Sequence, residues 1–163
     1  MANIIQIVGY KNAWKTTVVN RLVHHLADQN IRVGTLKHHG HGGDIELPAG
    51  TDSISHFESG SLVSGVQGES ITQLTLCNLP FENLINVYSM FPIDFLLVEG
   101  FKQADYPKIV LLRNQEDLSL LDELSNIIAV ATQDGSIRTG YPTFDLMKID
   151  TCITQIASYI INN

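Results

Sequence analysis

Cysteine is scarce in this chain. Cys77 and Cys152 are the only two among 163 residues, and they lie far apart in no metal or redox spacing. This argues against a disulfide scaffold and favours buried thiols in a reducing compartment. Positive charge is also short: ten Lys and Arg stand against seventeen Asp and Glu, a formal charge of −7. Nucleic acid and anionic membrane are therefore not expected as main partners, although a local basic pocket remains compatible. No apolar run approaches membrane-spanning length. The N-terminus lacks a charged start followed by an apolar core and cleavage site, so a cytoplasmic protein is expected. Repeats, low-complexity tracts and linkers are missing as well. What is present, 44% hydrophobic and 17% charged residues, suits a globular core, and one domain over 1–163 is expected.

The stretch Ile4 to Thr17 organises the rest. An apolar run ends at Val8, a loop opens on Gly9, and Lys15-Thr16-Thr17 heads an amphipathic segment. This is the layout of a phosphate-binding loop, G-x-x-x-x-G-K-[ST], set between strand and helix. Such a loop turns backbone N–H groups toward phosphate oxygens, and the helix that follows adds its N-terminal dipole. The lysine reaches terminal phosphates, and the threonine hydroxyl holds magnesium. Gly9, Tyr10, Lys11, Asn12, Ala13, Trp14, Lys15, Thr16 and Thr17 are the expected phosphate-binding segment. One position departs from the pattern: the second glycine is Trp14. An indole there clashes with phosphate, forces the loop open, or points away.

The first helix is expected from about Thr17 to Asp28, with Val19, Leu22, Val23 and Leu26 on one face. A second strand is expected over Ile31–Leu36, parallel to the first. The glycine-rich loop from Lys37 to Asp44 leaves that strand at the edge where open parallel sheets bind ligands. Lys37, His38 and Asp44 are thus candidates to face a phosphate or metal. Three histidines in four residues (His38, His39, His41) invite a zinc reading. The absence of cysteine and the loose glycine backbone argue against it. Asp52 is either a helix cap or a polar neighbour of the phosphate site. Segments 62–66 and 71–76 suggest an antiparallel hairpin, whose edge extends the sheet or meets a second subunit.

Pro80 opens a helix that Pro92 ends. Asp94 to Gly100 then forms an apolar strand closing on a carboxylate. In phosphate-loop proteins such a strand lies beside the first and its carboxylate helps hold magnesium, so Glu99 joins Thr16 as a candidate metal ligand. Lys102, at the same edge, adds positive charge for a phosphate. Two further apolar strands are expected at 108–112 and 126–131, with a short helix at 115–124 between them. A loop follows, and then a last helix capped by Asp150 or Thr151. The fold class is α/β: a mostly parallel sheet flanked by helices, with an inserted antiparallel hairpin.

These pieces occur together in a known order. Val8-Gly9-Tyr10-Lys11 with Lys15-Thr16-Thr17, then Val33 to Gly42, then Gly50-Thr51-Asp52-Ser53, then Leu97 to Lys102, then Pro107 to Val110, resemble the MobB family of molybdopterin guanine dinucleotide biosynthesis. The resemblance implies a GTP-binding homodimer that assists a MobA-like guanylyltransferase and hydrolyses GTP weakly at most. It implies a nucleotide loop at 9–17, magnesium near Thr16 and Glu99, and a site lined by Lys37, His38, Asp44, Asp52 and Lys102. GTP over ATP rests on the resemblance alone, because no Asn-Lys-x-Asp motif is evident. The alternatives are a scaffold that no longer binds nucleotide, a small-molecule kinase using Asp44 or Asp52 as base, and a histidine-loop metal carrier.

Overall fold

The computed structural model describes residues 2–40 and 43–163. In chain order the elements are β1 (Asn3–Gly9), α1 (Lys15–Ala27), β2 (Val33–Lys37), α2 (Asp52–Glu58), β3 (Val63–Gln67), β4 (Thr72–Leu76) and α3 (Phe81–Tyr88). They continue as β5 (Phe95–Glu99), β6 (Lys108–Leu112), α4 (Leu120–Glu123), β7 (Ile127–Thr132), β8 (Thr143–Asp145) and α5 (Ile149–Asn162). The chain divides into two compact units: one runs up to Gly40 and resumes at Tyr88, and the other is the segment between.

The first unit is built on a six-stranded sheet, order β2-β5-β1-β6-β7-β8, with every pairing parallel. The central strands are nearly continuous apolar runs because both faces are covered. Side chains alternate between those faces. Ile5, Ile7, Leu97, Ile109, Leu111, Ala129 and Ala131 pack with Val18, Leu22 and Leu26 of α1 and Ile153, Ile156 and Ile160 of α5. Val8, Val110, Leu112 and Val130 point the other way and meet Leu120 and Ile137. All crossovers leave the strands' C-terminal ends on one edge. The second unit holds α2 and the antiparallel pair β3–β4. Within it the Ser64 hydroxyl donates to the Ser53 carbonyl at 2.6 Å, and Ile54 is buried.

Several boundaries differ from the expectations. Helix α1 begins at Lys15, two residues early, and β2 runs from Val33 to Lys37. Arg32 is drawn out of β2 by Asp94, which accepts from its backbone N–H and its guanidinium. The hairpin forms a separate two-stranded sheet and adds no strand to the main one. A short strand, β8, lies where a loop was expected. Helix α5 begins at Ile149, so Asp150 and Thr151 sit in its first turn. The capping falls to Asp145, whose carboxylate takes the Met147 N–H at 2.9 Å and closes a 3₁₀ turn before the helix. Segment 115–124 is a 3₁₀ turn followed by α4, started by Asn114, whose side chain accepts the Glu116 N–H. Among the described residues no helix is long and apolar enough to cross a membrane.

Candidate functional site

The loop after β1 depends on close approach. A Cβ at Gly9 would lie 2.7 Å from the Leu111 carbonyl of β6, so only glycine fits there. Ala13 is fully buried beneath the loop, and its N–H closes a turn onto Tyr10. Asn12 and Trp14 both have left-handed backbones, φ 64° and φ 61°. For a tryptophan this costs about 1–2 kcal/mol. The chain therefore keeps the turn that a glycine would make, with the indole 40% exposed. The first helical bond of α1 runs from Val18 N–H to the Trp14 carbonyl at 2.9 Å. The amides of 15–17 precede it and form an open helix N-terminus suited to an anion.

Lys15 folds back over this loop, its ammonium donating to the Tyr10 carbonyl at 2.7 Å. Burial lowers its pKa. The Glu99 charge opposes that shift, and Lys102, Lys37 and Arg113 reinforce it.

Beside the loop, parallel pairing sets Glu99 opposite Ile7 of β1 on one side and Lys37 of β2 on the other. Glu99 is 8% exposed. The Thr16 hydroxyl lies 2.9 and 3.1 Å from its two oxygens. Lys37 completes the cluster, 3.3 Å from Thr16 Oγ1 and 3.3 Å from Glu99 Oε1. A hydroxyl and a carboxylate are hard oxygen donors, the kind magnesium takes beside phosphate oxygens and water. The donor set therefore fits that ion.

Glu99 is followed by Gly100 and Phe101, both left-handed at φ 93° and 53°. Gln6, buried in β1, holds this turn by donating to the Gly100 and Phe101 carbonyls at 3.0 and 2.7 Å. The His38 ring lies 4.6 Å from that of Phe101. Lys102 places its ammonium 4.4 Å from the centre of the Tyr10 ring. These side chains, with Lys11, Asn12 and Thr17, surround one edge of the first unit. Asp44 and Asp52 belong to the second unit, Asp52 as the first residue of α2. His41 lies outside the described residues. Among those described, no three His, Cys, Asp or Glu are grouped to hold a metal.

Sequence reasoning missed Gln6 and a brace from the other neighbour of β1. Arg113, just past β6, donates to the Lys11 carbonyl at 3.2 Å and lies 5.4 Å from the Tyr10 ring. It is fixed by Asp117, which accepts from its backbone N–H, Nε and Nη2 at 2.9, 2.8 and 2.7 Å. That contact holds the Asp117 carboxyl below its ordinary pKa. A cation one residue past a strand end was the available signal, but it needed the strand order to be read.

A parallel α/β sheet with an anion-type loop after β1, a lysine and threonine opening α1, and a carboxylate ending the next strand define the phosphate-loop class. Comparison with known proteins narrows the class. The family described as Molybdopterin guanine dinucleotide synthesis protein B, MobB, matches residues 4–133. A Bacillus subtilis protein named a probable molybdopterin-guanine dinucleotide biosynthesis adapter protein is 38% identical over 94% of this chain and 92% of its own. A Haemophilus influenzae adapter protein is 33% identical over 98% and 88%. The crystal structure of a MobB homolog from Bacillus stearothermophilus superposes with a TM-score of 0.79 at 30% identity, covering 99% of both chains. The chain belongs to the MobB family of molybdopterin-guanine dinucleotide biosynthesis adapter proteins.

Proposed function

We propose that this protein binds GTP with Mg²⁺ and acts, as a homodimer, as an adapter for a MobA-like guanylyltransferase that joins GMP to molybdopterin. The observation that carries this reading is the cluster of Thr16, Glu99 and Lys37 at the mouth of the loop. Glu99 and Thr16 hold the ion. Lys15 leaves the Tyr10 carbonyl for the terminal phosphates, and Lys37, His38 and Lys102 supply charge and hydrogen bonds around them. The amides of 15–17 cradle the remaining oxygens. Bound Mg²⁺ neutralises charge on those phosphates. Hydrolysis also needs a group that orients water. The Thr16–Glu99 cluster is assigned to the ion, and the sequence names no residue for orienting water, so turnover by the isolated protein is slow and its value lies in holding nucleotide for a partner.

Calorimetric titration of GTP with and without Mg²⁺, followed by phosphate release, tests this. Saturable Mg²⁺-dependent binding, abolished in Lys15→Ala and followed by slow release, supports it; rapid release or no binding contradicts it.

Trp14 favours a second reading, in which the indole blocks phosphate and the fold serves only for contact. Trp14→Gly separates the two: equal GTP affinity in both proteins rejects the blocked loop, and a large gain in the variant supports it.

A further inference from the structure

The segment Pro107 to Val110 takes no part in the ion cluster, yet it carries Lys108, a lysine with no exposed surface. Its ammonium donates to the Ala104 and Tyr106 carbonyls at 2.5 and 3.0 Å. Burial lowers its pKa, and the Asp105 charge opposes that shift. A charge is expensive to bury unless its hydrogen bonds are met.

Strand geometry explains what those bonds do. Glu99 ends β5 opposite Ile7, and Lys108 opens β6 opposite Gln6 on the far side of β1. The chain therefore crosses β1 in residues 100–107, without a helix. A parallel crossover ordinarily takes about a dozen residues or more, with a helix that satisfies its own backbone. This arch has no such ladder. Gln6 and Lys108 are register partners, so their side chains leave the same face of the sheet. Both are fully buried, and together they supply donors to the arch. Gln6 Nε2 bonds the Gly100 and Phe101 carbonyls, and Lys108 Nζ bonds those of Ala104 and Tyr106. Gln6 Oε1 also takes the Tyr106 N–H at 3.4 Å. An apolar pair would fit the strands and leave those carbonyls without these donors. The polar pair thus answers to the arch and not to the sheet.

The arch in turn carries part of the site. Glu99 stands at its foot, where the Gly100 N–H bonds the Ile7 carbonyl at 3.1 Å. Phe101 follows, left-handed at φ 53° with its ring against His38, and then Lys102 over the Tyr10 ring. Lys102 lies between the two anchored stretches, with Gln6 holding 100–101 and Lys108 holding 104–106.

We infer that Lys108 and Gln6 are positioning residues that pin this arch at its two ends, Gln6 setting Glu99 toward the ion and Lys108 setting Lys102 toward the phosphates. The inference deepens the nucleotide-binding reading and rests on it.

The test combines hydrogen exchange with calorimetric titration of GTP and Mg²⁺ on the full-length protein, Gln6→Met, Lys108→Met and Ile156→Val. Ile156→Val loosens the core under α5 and controls for lost stability alone. Each methionine variant is expected to speed exchange at the Ala104 and Tyr106 amides by about tenfold relative to the β5 amides. Gln6→Met raises the Mg²⁺ concentration for half-maximal GTP binding about tenfold. Lys108→Met lowers GTP affinity about fivefold at saturating Mg²⁺ and leaves the Mg²⁺ requirement unchanged. Ile156→Val shifts none of these. The two ends are tested separately, so the proposal does not depend on one variant folding. Unchanged arch exchange in the methionine variants, or affinity losses equalled by Ile156→Val, overturns the positioning role and leaves the nucleotide reading standing. Failure of the wild type to bind GTP overturns the nucleotide reading and the positioning role with it.

Discussion

Replacing Asp117 by alanine should both weaken the fold and loosen the phosphate loop. Asp117 is 1% exposed and accepts three hydrogen bonds from Arg113. Removing one partner of a buried pair costs about 3–5 kcal/mol. The Arg113 side chain is 36% exposed, so its guanidinium regains water and the loss falls at the lower end, about 3 kcal/mol. For a chain of this size that is a fall in melting temperature of roughly 6–12 °C. The same change frees Arg113 from its hold on the Lys11 carbonyl, so triphosphate affinity falls several-fold. Urea melts of Asp117→Ala, Arg113→Ala and the double variant measure the effect, and a coupling energy above about 1 kcal/mol is expected between two groups in direct contact. A loss below about 1 kcal/mol, or additive single variants, would refute the brace.

Glu99→Gln should change stability by less than about 1 kcal/mol, because the amide still accepts from Thr16 and a buried charge is removed; it should abolish the Mg²⁺ dependence of GTP binding, and undiminished dependence would exclude Glu99 as a ligand. Acid should destabilise the protein with a definite sign. Arg32 holds Asp94 down to about 2 from an ordinary 3.8, and Asp117 is lowered too. The stability these carboxylates give is complete above about pH 4 and is lost as pH falls toward 2; a urea midpoint that stays level or rises over that range would contradict it. Thiol titration of the native protein should label exposed Cys77 alone. Cys152 is buried and its pKa is pushed up to about 12 by desolvation and the Asp145 charge, so a second thiol should react only in denaturant.

How far the sequence could be read depended on whether a feature was local. The loop at 9–17, Glu99 and the parallel core were legible because each is a short apolar run joined to a punctuating glycine or charge. The end of β5 beside β1 followed from the same motif. Strand β8 was not legible: Thr143–Asp145 is three half-exposed residues after a proline, and only pairing with Val130–Thr132 makes it a strand. The hairpin's antiparallel character was readable from its turn, but its separation from the main sheet was not, because that depends on which edges the larger sheet leaves. Gln6 reads as one polar residue in an apolar strand until the Gly100–Phe101 turn is seen beside it. Arg113 and Asp117 likewise mean little until β6 is known to flank β1. Trp14 stands out in the sequence as a departure from the motif, and its left-handed backbone explains why glycine suits that position and why the turn survives without it.

Trp14 is the only tryptophan in the chain, so its fluorescence reports on the phosphate loop alone. Titration of Mg²⁺ and GTP against that signal is the most direct measure of whether the loop takes a nucleotide. The account predicts a saturable one-site change that vanishes in Lys15→Ala and weakens without Mg²⁺. A flat signal to millimolar GTP, with no heat in a parallel calorimetric titration, would contradict it.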